Sequence, residues 1–155
     1  MTHLRRWRRT GPLATLLACL LAVGLGTVLA QPASATPVCT GTKTVTRGAS
    51  TWSLPANGSS LDCHMQRGNV SNAVRSLQNH LNLCYSSASG AVGHVSKISP
   101  LTVDGNFGGN TEAALKTVQA YHGISADGVY GPQTRRTLVF FGDDCVRARC
   151  MRYGA

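Results

Sequence analysis

The chain has 155 residues, 43% hydrophobic but only 6% aromatic, with a formal charge of +9. Beyond residue 35 its basic residues form no run interleaved with aromatics, so nucleic acid is not an expected partner. With six acidic residues in all, a paired-carboxylate hydrolytic site is hard to assemble.

At the N-terminus, Arg5, Arg6, Arg8 and Arg9 precede an apolar run from Leu13 to Ala30. Ala33-Ser34-Ala35 then supplies a small-x-small cleavage site. This order predicts an export signal over residues 1–35, cut after Ala35, with Ala30 as the second choice. The rival reading, an uncleaved anchor, needs a longer apolar run than one interrupted by Gly24 and Gly26. No membrane contact is therefore expected after cleavage. Residues 1–35 hold four of the fifteen basic residues and none of the six acidic ones, so a mature chain would carry +5. Such a charge favours a polyanionic surface.

Beyond the signal stand Cys39, Cys63, Cys84, Cys145 and Cys150. Export implies an oxidising compartment, so disulfides are expected. Sequence alone cannot fix their connectivity. The expected arrangement is Cys39–Cys63 across the N-terminal arm and Cys84 joined to Cys145 or Cys150, with one cysteine left over. Zinc is not expected, because no second close pair completes a four-ligand set with Cys145 and Cys150.

Residues 36–68 are rich in Thr, Ser and Gly and read as an irregular arm held by its cystine, with Thr42–Thr46 alternating as a short strand would. Val70, Val74, Leu77, Leu81 and Cys84 recur at helical spacing and define helix one, capped by Asn69 or Ser71. Arg75, Gln78, Asn79 and Asn82 fall on its polar face. Residues 85–100 are Ser/Gly-rich, end in Pro100 and read as a loop.

Two copies of Asp-Gly-x-aromatic-Gly-x-x-Thr follow. Asp104-Gly105-Asn106-Phe107-Gly108-Gly109-Asn110-Thr111 and Asp127-Gly128-Val129-Tyr130-Gly131-Pro132-Gln133-Thr134 lie 23 residues apart. Asp supplies acceptors within a turn, Gly allows positive φ, and the ring can anchor the loop in the core. Each copy leads into a helical stretch, the first to His122 with Leu115 and Val118 inward, the second to Phe141 with Leu138 and Phe141 inward. Gly123 and Gly142 sit where helix-ending glycines belong.

These residues resemble the peptidoglycan-binding domain of the three-helix type found on bacterial cell-wall hydrolases. The resemblance runs over about residues 68–141 and rests on Val74-x-x-Leu77-Gln78-x-x-Leu81, Val103-Asp104-Gly105-x-Phe107-Gly108-x-x-Thr111-x-x-Ala114-Leu115-x-x-Val118-Gln119, and the second Asp-Gly unit. The loop after helix one is longer than usual in that family, and Val118 stands where Phe is common. The resemblance implies a mainly α, compact three-helix fold: signal 1–35, arm 36–68, binding domain 69–142 and tail 143–155.

It further implies non-catalytic binding of wall peptidoglycan, glycan strand or stem peptide, without a cofactor. The four histidines beyond the signal, His64, His80, His94 and His122, show no motif spacing, and no enzyme is expected. The alternative is a secreted inhibitor or interaction protein whose partner is a co-secreted hydrolase; a small hydrolase ranks below both. Ligand contacts are expected at Asn106, Asn110, Thr111, Gln119, Tyr121 and His122, with Arg135 for a carboxylate.

Overall fold

A computed structural model describes residues 35–143 and 147–153. The segment 1–34, on which the export-signal reading rests, and Cys145 lie outside the described residues. Four strands and three helices run in the order β1 (Gly41–Arg47), β2 (Ser50–Ala56), α1 (Asn72–Tyr85), α2 (Gly109–Tyr121), α3 (Pro132–Thr137), β3 (Val139–Asp143) and β4 (Ala148–Arg152). The strands form one sheet in sequence order, antiparallel throughout.

The expectation of a mainly α fold is therefore corrected. The arm expected to be irregular is a hairpin. β1 and β2 pair in full register from Gly41↔Ala56 to Arg47↔Ser50, around a two-residue Gly48-Ala49 turn in which Gly48 takes φ +57°. On β1, Thr42, Thr44 and Thr46 face solvent. β2 turns Trp52 and Leu54 into the core. The cystine Cys39–Cys63 closes the arm against itself.

A second correction falls at the chain's other end. Helix three was expected to reach Phe141, but it ends at Thr137, and Leu138 already has extended backbone (ψ 156°). The β-branched and aromatic run Val139-Phe140-Phe141 suits a pleated strand and pairs with β4 from Val139↔Arg152 to Asp143↔Ala148. Cys84–Cys150 then ties β4 to the end of α1. Gly142 accordingly ends no helix. A Cβ there would lie 2.7 Å from Trp52 Cδ1 and Nε1, so only glycine lets the indole lie against β3.

β2 and β3 share a single ladder pair, Thr51↔Asp143. His80 of α1 supplies the bridge that the ladder lacks. Its Nε2 stands 2.8 Å from Ser53 O, and Phe141 N–H donates to its Nδ1 at 3.2 Å. One ring nitrogen thus donates and the other accepts, as in a neutral imidazole. Burial lowers its pKa, opposed by the Ser53 hydrogen bond.

Helix α1 begins as expected, with Ser71 Oγ accepting from Val74 N. Val74, Leu77, Leu81 and Cys84 are fully buried or nearly so, whereas Val70 lies outside the helix and is 74% exposed. The core lies between α1, the sheet and α2. Phe107, Tyr130, Leu77 and Leu115 reach it with no exposed surface, and a fully buried large apolar side chain contributes about 1.5–3 kcal/mol. The Ser/Gly loop is anchored along its length: Val95 N–H donates to Cys84 O, Lys97 N–H to Tyr85 O, and Cys150 N–H to Val92 O.

Candidate functional site

The site is built on the internal repeat. In the first copy, the side chain of Gln78 sits inside the turn. Its Nε2 donates to Asp104 Oδ1 (2.8 Å), Asn106 O (3.0 Å) and Thr111 Oγ1 (3.2 Å), while its Oε1 accepts from Gly105 N (2.9 Å). In the second copy, Gln119 repeats the set with Asp127 Oδ1 (2.9 Å), Val129 O (3.0 Å), Thr134 Oγ1 (3.1 Å) and Gly128 N (2.9 Å). Asp104 and Asp127 each also accept from the backbone N–H two residues on, at 2.8 Å, the Asx-turn geometry. Gly105 and Gly128 take φ +79° and +76°. Hydrogen bonds from Gln78 and then from Asn106 N–H hold the Asp104 carboxyl below its ordinary pKa. The two glutamines are turn clamps, so Gln78 belongs to the interior and not to a polar surface.

Segment 65–70 crosses both turns and locks them together. Met65 exchanges backbone hydrogen bonds with Tyr130, and Gly68 N–H donates to Phe107 O while Phe107 N–H donates to Asn69 O. The first turn therefore presents a fixed surface beside the start of α2.

An open cleft of about 450 Å³ lies between the irregular segment 97–102 and α2, with Lys97, Ser99, Thr102, Asn110, Ala113 and Thr117 among its walls. A contiguous hollow of about 280 Å³ shares Leu101, Thr102 and Asn110 and adds Asp104, Asn106 and Thr111. Across the Asp104-Gly105 turn, a third hollow of about 410 Å³ is lined by Val70 and Arg75. Arg75 donates to Asp104 O at 3.3 Å. Near Lys97, the Lys97 ammonium lies 4.6 Å from the centroid of the Tyr121 ring, within cation–π range.

Of the seven residues expected to touch ligand, three come together here. Asn106 and Asn110 are exposed on the wall, and Thr111 lies beneath them, buried and bonded to Gln78. Tyr121 stands apart from them, against Lys97. The other three are placed elsewhere. Gln119 is fully buried and its amide is committed to the second turn. His122 Nε2 shares a hydrogen bond with the Tyr85 hydroxyl at 2.7 Å, and the same hydroxyl accepts from Val139 N–H at 2.7 Å. Burial lowers the His122 pKa, with Arg152 adding to the shift. Arg135 is buried, donates to Asp62 Oδ1 at 2.8 Å, and packs 5.7 Å from the Tyr153 ring centroid.

Residue type and helical position alone had suggested these three, and neither tells a buried amide from a solvated one. Lys97, Ser99, Thr102 and Thr117 were missed. The only signal for Lys97 and Ser99 was the Ser/Gly-rich loop itself, because loops carried on a rigid scaffold often hold binding residues; Thr102 just beyond it and Thr117 on α2 had none.

Among the described residues, no three His, Cys, Asp or Glu side chains come together as a metal-ligand group. No described helix is long and apolar enough to cross a membrane. Fold and site together define a small disulfide-tied module with an open polar cleft beside repeated Asp-Gly turns. Residues 70–138 match the family described as "Putative peptidoglycan binding domain".

Two curated relatives are similar. One is the zinc D-Ala-D-Ala carboxypeptidase of Streptomyces albus G, 29% identical over 136 residues, covering 88% of this chain and 47% of the relative. The other is the N-acetylmuramoyl-L-alanine amidase CwlM of Mycobacterium tuberculosis, 50% identical over 38 residues, covering 24% of this chain and 9% of the relative. The chain thus spans about half the length of the first and a small fraction of the second.

Proposed function

We propose that this protein attaches to bacterial cell-wall peptidoglycan through the cleft between segment 97–102 and α2, and that it binds the wall without cutting it. The observation that carries the reading is the position of the cleft. It opens inside the family segment, directly on the Asp104-Gly105 turn. Its walls combine hydroxyls, amides and one cation over a small apolar floor, the composition of a site for a polar polymer. The relatives, a carboxypeptidase and an amidase by name, are enzymes for which attachment to the wall would be useful.

Binding is favoured over catalysis by what three of the four histidines already do. Both ring nitrogens of His80 are engaged in the core. His122 is bonded to Tyr85, and His94 Nδ1 is 2.8 Å from Ala91 O. A nucleophile–base pair needs such groups free and within reach of one another. The two disulfides support an oxidising, extracellular or wall-associated location, in keeping with the export-signal pattern at the N-terminus.

The test is co-sedimentation of the purified protein with insoluble peptidoglycan freed of accessory polymers, across a salt series, while turbidity is followed. Salt-resistant binding at constant turbidity is the expected result. Binding lost at modest salt would reduce the interaction to charge attraction. Falling turbidity would show cutting and refute the non-catalytic reading.

A further inference from the structure

We propose that the cleft is occupied by the peptide component of the wall and not by its sugar strand. An extended stem peptide of small side chains would lie alongside Ser99–Thr102, with its terminal carboxylate at Lys97. This inference rests on the wall-binding reading of the same cleft.

The first observation is an unused backbone. Both polar backbone groups of Leu101 are taken by the Asn82 side chain: Leu101 N–H donates to Oδ1 at 2.7 Å, and Nδ2 donates to Leu101 O at 2.8 Å. Among the described residues, no hydrogen bond engages the backbone of Ser99 or Thr102. Both are exposed cleft residues. In an extended chain neighbouring residues turn their backbone groups to opposite sides, so Thr102, next to the α1-facing Leu101, turns its N–H and C=O away from α1. Unpaired N–H and C=O groups beside a cleft are what an extended peptide uses when it binds main chain to main chain. The acetamido groups of a sugar strand do not repeat at the spacing of a peptide backbone.

The second observation is the floor. Opposite the segment, α2 presents Ala113 and Ala114 beneath Asn110. Side chains of this size leave room for methyl-bearing residues. The third observation concerns the aromatic. The Tyr121 ring is not among the walls of the cleft, and the Lys97 ammonium lies 4.6 Å from its centroid. Tyr121 therefore holds the cation in place at the cleft. A held ammonium suits a carboxylate, and where the sugar strand carries peptides its own carboxyl groups are tied up as amides and give no counter-charge.

The experiment compares two probes with the purified, isotope-labelled protein: stem peptides released from peptidoglycan by an amidase, and the peptide-free glycan strands left behind, with the lactyl carboxylates that the amidase frees capped as amides. Released peptides are expected to displace the protein from insoluble wall and to shift the amide resonances of Ser99, Thr102 and Asn110. Amidation of their terminal carboxylate should weaken binding by roughly five- to ten-fold, the loss of one charge-assisted contact. Lys97→Gln should abolish that discrimination.

Thr102→Pro removes one backbone donor without removing an internal hydrogen bond, and should cost roughly five-fold. If that variant does not fold, Ala113→Leu, which fills the floor, should lower peptide affinity in a folded protein. Glycan strands that compete while peptides do not, or peptides indifferent to amidation, would overturn the inference and leave wall attachment standing. Failure to bind whole peptidoglycan would overturn both.

Discussion

Replacing Gln119 by alanine tests the repeat most directly. The side chain has 1% exposure and makes four hydrogen bonds between 2.9 and 3.1 Å. Asp127 can be re-solvated, because it is exposed. Thr134 is buried but retains Val129 O as an acceptor at 3.0 Å. The buried Gly128 N–H has no such recourse and is left without its acceptor. An unsatisfied buried donor costs about 1–3 kcal/mol, and the void left by the truncated side chain adds about 1–2 kcal/mol by the cavity relation. The expected loss is therefore about 2–5 kcal/mol, a large share of a small domain's stability. Urea unfolding of the oxidised protein, followed by far-UV circular dichroism, measures it. In a folded fraction below the transition, wall binding per molecule should equal that of the parent, because Gln119 does not reach the cleft. A loss below about 1 kcal/mol, or weakened wall binding in fully folded protein, would refute the clamp assignment.

Acidification gives a second test. The His80 pKa is lowered in the fold from the ordinary 6.5, so below that pH the unfolded chain takes up a proton that the folded chain resists; stability is full above about pH 7 and falls by up to about 1.4 kcal/mol per unit as pH drops towards the folded value. Urea midpoints at pH 7.5 and 5.5 should show this decline, and His80→Gln should reduce it to the part that the lowered His122 contributes; a midpoint unchanged between the two pH values in the parent protein would contradict the neutral bridge. Cys84→Ser opens a closure of 66 residues, for which chain entropy gives about 4 kcal/mol, and amide exchange should show β4 opening before α2. Asn106→Val should weaken wall binding several-fold with no change in the urea midpoint.

The parts of the fold legible in the sequence were those with local causes. Helix α1 announced itself through Val74, Leu77, Leu81 and Cys84, and its Ser71 cap is where expected. The Asp-Gly turns followed from residue chemistry alone, and Cys39–Cys63 and one of the two alternatives for Cys84 were anticipated. The sheet was not legible, because its causes are remote. Val139-Phe140-Phe141 follows a helix start and has helical as well as strand readings. What decides it is β4, held by a cystine to α1. His80 falls outside the apolar stripe of α1, yet it bridges two strands that lie far from it in sequence. At the site, Asn106, Asn110 and Thr111 could be found because they belong to the turn itself. Gln119 and Arg135 could not be excluded, since polar residues in buried networks look the same in sequence as polar residues in water.

The repeat also explains why one turn should bind and the other should not. The clamps are equivalent bond for bond, so they say nothing about ligand. The differences lie in what each turn displays. Asn106 of the first corresponds to Val129 of the second, Gly109 to Pro132, and Asn110 to Gln133. Only the backbone of Asn106 serves the clamp, its N–H towards Asp104 and its C=O towards Gln78. Its side-chain amide is left over for something outside the turn. The second turn instead leads into a helix of six residues that gives way at once to β3, and Tyr130 at its centre pairs with Met65 to close the core. The first leads into a helix of 13 residues with a cleft along its face. One copy is thus used to join helix to sheet and the other to hold a polar wall against solvent. Giving Asn106 the valine of its counterpart removes the display without touching the clamp, which is why binding and stability should separate at that position.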